Sequence, residues 1–188
     1  YGATKLTADK LFIAANNYSD AGEARFAVVR YGNVMGSRGS VIPLFKRLVA
    51  EGKPLPITDS RMTRFWITLP QAVQFVVDSF ESMSGGELFV PRIPSMRIMD
   101  LVEAIAPGAQ TYEIGIRPGE KLHEEMISAD DSYRTIRQRD RYIVTPTVQG
   151  WWFTEPDGEA VDPGFSYRSD TNDQWLSNEQ LRAFADES

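Results

Sequence analysis

Apolar residues at Ala8, Leu11, Phe12 and Ala15 recur at the i, i+3, i+4, i+7 spacing of one helix face, which predicts an amphipathic helix from residue 4 to about residue 17. The run 26–31 (FAVVRY) is short, apolar and rich in β-forming side chains, as in a buried strand of a parallel sheet. Residues 43–50 read as a helix with Pro43 in its first turn, Gly52 as its stop, and Lys46 and Arg47 facing solvent. Thr68-Leu69-Pro70-Gln71 is a capping-box pattern that opens a periodic helix through Ala72, Val73, Val76, Val77 and Phe80. A strand is expected over 87–90, a helix over 98–106 that stops before Pro107-Gly108, and a strand over 111–114. The remainder is less regular, passing Trp151-Trp152-Phe153 and a loop rich in Pro, Gly and Asp before a last helix capped by Ser177, with Gln180 in the box position. Helices alternating with strands are the grammar of an α/β fold, and the chain carries no internal repeat, low-complexity tract or clear linker.

Composition narrows the function classes. With 188 residues, 42% of them hydrophobic and 11% aromatic, the chain can bury a core and amounts to one domain or slightly more. It has no cysteine, so disulfides, zinc-thiolate sites and cysteine nucleophiles are excluded. A formal charge of −6 argues against a nucleic-acid partner, whose binding needs clustered positive charge. No apolar run is long enough to span a bilayer and no basic-then-apolar leader is present, so no membrane partner is expected.

Candidate chemistry begins with Tyr1 and Lys5, which share a face if they lie on one helix, so that the lysine ammonium favours the phenolate of Tyr1 by Coulomb attraction. A tyrosine tuned in this way can take a proton from a sugar hydroxyl while a nicotinamide takes the hydride. An ordinary helix start with a solvated lysine fits the same spacing. After the 26–31 strand comes Gly32-Asn33-Val34-Met35-Gly36-Ser37-Arg38-Gly39-Ser40, placed where open α/β sheets bind ligands, beyond the carboxyl end of a strand. Three polar clusters stand out: Asn33 with Arg38 and Ser40; Asp59-Ser60-Arg61-Met62-Thr63-Arg64; and Arg117-Pro118-Gly119-Glu120-Lys121, where proline and glycine force a turn. Guanidinium groups match phosphate oxygens bidentately and a carboxylate accepts both hydroxyls of a ribose, so Arg64 and Arg117 with Glu120 can bind a nucleoside diphosphate. Surface ion pairs are the alternative for each cluster. Phe65 and Trp66 read as core, and His123, the single histidine, reads as structural. The pairs Glu124-Glu125 and Asp130-Asp131 lack metal-ligand spacing, and no metal is assigned. There is no G-x-G-x-x-G between a strand and a helix, so most of any nicotinamide site that Tyr1 and Lys5 serve lies upstream.

Four segments together resemble the extended short-chain dehydrogenase/reductase family: Tyr1-Gly2-Ala3-Thr4-Lys5, the run 30–43 (RYGNVMGSRGSVIP), the run 57–67 (ITDSRMTRFWI) and the run 116–124 (IRPGEKLHE). Within it they look like the inverting UDP-N-acetylglucosamine 4,6-dehydratases that begin pseudaminic acid synthesis, with the weakest likeness over about 130–162. The resemblance implies the C-terminal part of a Rossmann-type α/β enzyme with its substrate-binding subdomain. Residues 1–40 would be the tail of an NADP-binding Rossmann domain, and 41–188 mainly the UDP-sugar region, with some strands and helices returning to the Rossmann sheet. It also implies that Tyr1 is the catalytic tyrosine and that Lys5 holds the nicotinamide ribose. Asn33, Arg64 and Arg117 would contact the diphosphate, Glu120 the uridine ribose, and Ser40 and Val41 the neighbourhood of the uridine.

The implied reaction oxidises C4 of the sugar with NADP, eliminates water across C5 and C6, and returns the hydride to C6 with inversion at C5. The family's elimination step uses an Asp-Lys pair just before the tyrosine, which this chain does not contain, so the polypeptide alone is expected to be inert. Large membrane-bound relatives replace the tyrosine with methionine; Tyr1 therefore implies a short cytoplasmic enzyme, bacterial or archaeal, and the family's habit implies a homo-oligomer. A capsule-type UDP-sugar dehydratase or epimerase, and a noncatalytic UDP-sugar-binding module, are the alternatives.

Overall fold

The computed structural model describes residues 2–19, 24–36, 41–150 and 153–186. In chain order the elements are α1 (Gly2–Ala15), β1 (Val28–Val29), β2 (Asn33–Val34), α2 (Val41–Ala50), β3 (Leu55–Ile57), β4 (Thr63–Ile67), α3 (Leu69–Ser82), β5 (Leu88–Pro91), β6 (Ser95–Arg97), α4 (Ile98–Ile105) and β7 (Thr111–Glu113). They continue with β8 (Glu125–Ile127), a 3-10 segment (Ala129–Arg134), β9 (Thr135–Arg137), β10 (Arg141–Val144), β11 (Glu159–Ala160), β12 (Tyr167–Arg168) and α5 (Asn178–Asp186). The chain divides into two compact units, one of Tyr1–Tyr31, Pro70–Arg92 and Glu125–Tyr167, the other of Gly32–Leu69, Ile93–Glu124 and Arg168–Ser188.

In the first unit β5 is the strand around which the sheet forms, because all four of its residues are buried. The sheet order is β1-β5-β10-β9-β11, with β1 parallel to β5 and the remaining pairs antiparallel. The parallel expectation for the 26–31 run therefore holds, but only Val28 and Val29 join the ladder and both are half-buried. Asn16, buried just past α1, donates its amide to the carbonyls of Ile13 (3.0 Å) and Phe26 (2.8 Å) and accepts the Phe26 N–H at 3.0 Å. The Phe26 carbonyl also accepts the Gly86 N–H at 2.6 Å, so Asn16 shares it with the main chain and ties the end of α1 to the start of the strand. Beyond β1, the Arg30 guanidinium pairs with Asp9 of α1 at 2.6 Å and donates to the Met126 carbonyl at 2.6 Å, fixing α1 to the end of its strand.

In two helices of this unit only part of the stripe that the periodicity selected is turned inward, Ala8 and Ala15 of α1 and Ala72 of α3. In α1, Leu11 is 66% and Phe12 54% exposed, while Ile13, Ala14 and Ala15 are half-buried. In α3 the buried positions are Ala72, Phe75 and Ser79, whereas Val73, Val76, Val77 and Phe80 are exposed. Ser79 sits inside because its hydroxyl donates to the Phe75 carbonyl at 2.6 Å and so needs no partner beyond its own helix. Phe75 then packs with Phe89 and Ile143, and the Arg141 guanidinium lies 5.0 Å from the Phe75 ring centre.

The second unit has a three-stranded sheet β2-β4-β6 and a two-stranded parallel sheet of β3 and β7. Its core gathers Ile42 and Phe45 of α2, Leu55 and Ile57 of β3, Leu101 and Val102 of α4, and Leu181 and Ala185 of α5. Lys46, expected in solvent, instead donates to the Ala185 carbonyl at the end of α5, where an orphan carbonyl and the negative helix terminus attract a cation. The capping box at α5 forms as the sequence predicts: Gln180 accepts the Ser177 N–H at 2.9 Å and Ser177 accepts the Gln180 N–H at 3.2 Å. Among the described residues no helix is long and apolar enough to cross a membrane, and no group of three His, Cys, Asp or Glu side chains is placed to hold a metal.

The loop between β3 and β4 is held by carboxylates. Asp59 accepts the backbone N–H of Arg61 at 2.9 Å and two of its guanidinium N–H groups at 3.0 and 2.7 Å, which lowers its pKa from 3.8 to about 2. Glu113, which accepts the Ser60 N–H at 3.0 Å, is also lowered. A carboxylate lowered by folding stabilises above its unfolded pKa and loses that contribution as pH falls through its folded pKa. Wild type is therefore expected to exceed Asp59→Asn in stability above about pH 4, with the gap closing as the pH falls toward about 2, read from urea midpoints across that range.

Candidate active site

The second unit brings the sequence-selected polar groups together around β4, starting from a glycine. A Cβ placed on Gly32 would lie 2.6 Å from both the Cβ and the carbonyl oxygen of Phe65. Only glycine lets the chain pass this close, and the passage puts β2 in parallel register on β4, Asn33 opposite Trp66 and Val34 opposite Ile67. Near the start of the glycine-rich segment that follows the 26–31 run, Asn33 and Val34 are thus themselves a short strand. Phe65 and Trp66, read as core, are buried, and the Trp66 indole N–H has no partner among the described residues.

From that position the Asn33 amide nitrogen donates to the Phe65 carbonyl at 3.3 Å and to Glu124 Oε1 at 2.9 Å. Glu124 Oε2 accepts the Phe65 N–H at 2.9 Å. Burial raises the Glu124 pKa, opposed by the Phe65 N–H, the Asn33 amide and the charges of Arg64 and Lys121. The Glu124 main chain is fixed by Ser169, whose hydroxyl accepts the Glu124 N–H at 2.9 Å and whose N–H donates to the Glu124 carbonyl at 2.9 Å. The Ser169 hydroxyl is also 2.7 Å from Thr63 Oγ1, which lies 2.9 Å from His123 Nδ1. His123 Nε2 is in turn 3.9 Å from Asp170.

Arg64 is more occupied than a free diphosphate ligand would be. Its guanidinium donates to the carbonyls of Thr63 (2.7 Å), Leu122 (3.0 Å) and Lys121 (2.9 Å), with Glu120 at 3.7 Å and Glu124 at 3.8 Å. It therefore clamps the 117–124 segment onto β4 while keeping its charge in the site. That segment makes the turn expected of Arg117-Pro118-Gly119-Glu120: the Glu120 N–H donates to the Arg117 carbonyl at 2.9 Å, and Gly119 has φ 81°. Glu120 Oε2 accepts the Arg117 N–H at 3.3 Å, while the Arg117 side chain is exposed and its guanidinium has no partner among the described residues.

The structure thus gathers Asn33, Arg64 and Glu120 about Glu124 and hangs Arg117 on the same turn. Val41 opens α2 and packs against the second unit's core. Lys5 is exposed on α1 of the first unit. Tyr1 and Ser40 lie outside the described residues, as does Arg38. Thr63 was named only within the 59–64 cluster, Glu124 only as half of an acidic pair given no role, and Ser169 was not singled out, since no periodic spacing marks groups that act through main-chain partners.

The chain matches the family described as Polysaccharide biosynthesis protein over residues 1–146. It belongs to that family. It is 53% identical over 193 residues to the UDP-N-acetylglucosamine 4,6-dehydratase (inverting) of Campylobacter jejuni, a match that covers 96% of this chain and 57% of the relative. A UDP-glucose 4-epimerase of Rickettsia rickettsii is 39% identical over 147 residues, covering 76% of this chain and 43% of the relative. Among solved structures, Pen from Bacillus thuringiensis superposes with a TM-score of 0.85 at 35% identity, over 100% of this chain and 57% of that one. The chain therefore spans 57% of the length of its dehydratase relative. The neighbours agree with the α/β, Rossmann-type expectation for its fold.

Gly32→Ala is expected to lower stability by about 1–3 kcal/mol, because the clash is with backbone rather than with a yielding side chain. Urea unfolding against wild type measures it.

Proposed function

We propose that this chain is part of a UDP-N-acetylglucosamine 4,6-dehydratase that inverts C5, and that the cluster around Glu124 and the 117–120 turn forms its nucleotide-sugar wall. The observation that carries the reading is the 53% identity to the Campylobacter jejuni dehydratase across 96% of the chain. The exposed Arg117 guanidinium takes the diphosphate, and Arg64, its N–H groups held by carbonyls, adds charge from behind. Glu120 accepts the ribose hydroxyls, Asn33 meets the ligand beside them, and Ser40 and Val41 border the uridine. Residues 1–40 close an NADP-binding domain, and 41–188 serve mainly the UDP-sugar.

Lys5 fits one end of a nicotinamide cofactor: its ammonium is exposed on α1, a helix anchored by the Asp9–Arg30 pair. Lys5 and Tyr1 would hold the nicotinamide ribose, and the cofactor supplies hydride uptake and return when bound. Tyr1 takes the proton from the sugar O4 hydroxyl, and the Lys5 charge favours the phenolate that does so. The resulting C4 ketone acidifies the C5 proton, which prepares loss of water across C5 and C6. NADP as the cofactor, a homo-oligomeric cytoplasmic enzyme and a role in pseudaminic acid synthesis complete the proposal.

The 39% identity to a UDP-glucose 4-epimerase favours a second reading, epimerisation of a UDP-sugar at C4. Product analysis separates the two. NMR of the full-length protein's product from UDP-N-acetylglucosamine is expected to show a 6-deoxy-4-keto sugar with inverted C5, and a C4 epimer that keeps its 6-hydroxyl would sink the dehydratase reading. Arg117→Ala in the full-length protein is expected to weaken UDP-N-acetylglucosamine binding by about 1.5–3 kcal/mol, as for a lost charge-assisted hydrogen bond. Unchanged affinity in calorimetry would remove Arg117 from the diphosphate site.

A further inference from the structure

The orientation of the Asn33 amide is determined by its neighbours. Its nitrogen faces two acceptors, the Phe65 carbonyl at 3.3 Å and Glu124 Oε1 at 2.9 Å, and turning the amide over would set its oxygen against both. Glu124 is itself unable to turn away. Its other oxygen accepts the Phe65 N–H at 2.9 Å, and its main chain is bonded on both sides to Ser169, which is fully buried. Both N–H donors of Asn33 are therefore spent inside the protein, and the atom left over on this exposed residue is Oδ1, for which the described residues supply no partner.

An amide oxygen accepts hydrogen bonds and repels phosphate oxygens, which at neutral pH are themselves acceptors. We infer that Glu124 is a positioning residue that turns Asn33 Oδ1 toward the ligand, so that Asn33 receives a hydrogen bond from an N–H or O–H group of the nucleotide-sugar rather than donating to its diphosphate. The inference rests on the UDP-sugar reading above and replaces the diphosphate contact that the sequence resemblance implied for Asn33. A UDP-N-acetylhexosamine offers such donors in its acetamido N–H, its sugar and ribose hydroxyls and its uracil N–H. Discrimination follows, because a ligand that lacks the donor leaves Oδ1 dehydrated and unpaired.

Three variants of the full-length protein test this: Glu124→Gln, Asn33→Ala and the double variant, titrated calorimetrically with UDP-N-acetylglucosamine and, in competition, with inorganic pyrophosphate. Glutamine keeps an oxygen for the Phe65 N–H but sets an N–H against the Asn33 nitrogen. Glu124→Gln is therefore expected to weaken UDP-N-acetylglucosamine binding about tenfold, the size of one lost hydrogen bond. Asn33→Ala is expected to weaken it to a similar degree while leaving pyrophosphate competition unchanged. The double variant is expected to bind no more weakly than the weaker single one, since Glu124 acts only through Asn33. Unchanged or tighter sugar-nucleotide binding in Glu124→Gln overturns the inference, as do additive losses in the double variant. Should Glu124→Gln fail to fold by circular dichroism, Asn33→Ala decides alone: equal weakening of pyrophosphate and nucleotide-sugar, or of neither, overturns it. A wild-type protein that binds no UDP-N-acetylglucosamine overturns the substrate reading itself.

Discussion

The Arg64 guanidinium is the interaction on which the second unit's polar architecture rests. Residues 121 and 122 follow a turn and belong to no strand or helix, and the Leu122 carbonyl meets main chain at the Thr63 N–H, 3.2 Å away. One planar side chain on β4 serves the carbonyls of both residues and that of its own neighbour, Thr63. The fork geometry of arginine suits this, since separate N–H groups point to separate acceptors while the charge remains in place. A lysine would present one rotating ammonium and could not hold the segment in a single register. Glu120, His123 and Glu124 all take their positions from that segment, so the charged floor of the site and its scaffold are the same group.

Polar saturation is the recurrent theme around this floor. Thr63 and Ser169 are buried hydroxyls that complete each other's hydrogen bonds, and Ser169 also closes both main-chain groups of Glu124. Such a network specifies one arrangement because each member has few alternative partners at hydrogen-bond distance. The exposed Arg117 differs from its neighbours in exactly this respect: its main chain is committed to the turn while its guanidinium remains uncommitted among the described residues. Rigid backbone beneath an uncommitted charge is the arrangement expected where binding has to cost little ordering entropy.

Much of this was legible in the sequence where the signal is local. The box at Ser177 and Gln180, the turn at Pro118-Gly119 and the helices expected over 43–50 and 98–106, found at Val41–Ala50 and Ile98–Ile105, follow from side chains acting on backbone a few positions away. The face a helix buries is not local information. Val73, Val76, Val77 and Phe80 form a periodic stripe that the first unit leaves exposed, while Ser79 is admitted to the interior by a bond to its own helix. The role of Glu124 was invisible for a related reason, because its partners Asn33, Phe65 and Ser169 are distant in sequence and two of its bonds go to main chain. The same holds for Arg64, whose residue type pointed to phosphate and whose donors the fold assigns to carbonyls. Residue type identified the charge; only tertiary geometry identifies which atoms remain available.

Asn16 shows how finely such an assignment can be drawn. Its amide nitrogen faces two carbonyls, those of Ile13 and Phe26, and its oxygen faces one N–H. Loss of ammonia from this side chain, the ordinary chemical ageing of asparagine, would replace the nitrogen by an oxygen with almost no change in shape. Both carbonyls would then face an acceptor, and a negative charge would arrive in a buried position at the junction of α1 and β1. Of two ties that hold the helix carrying Lys5, the Asp9–Arg30 pair and this one, the second is in this sense dated: it lasts as long as one C–N bond at residue 16 remains unhydrolysed.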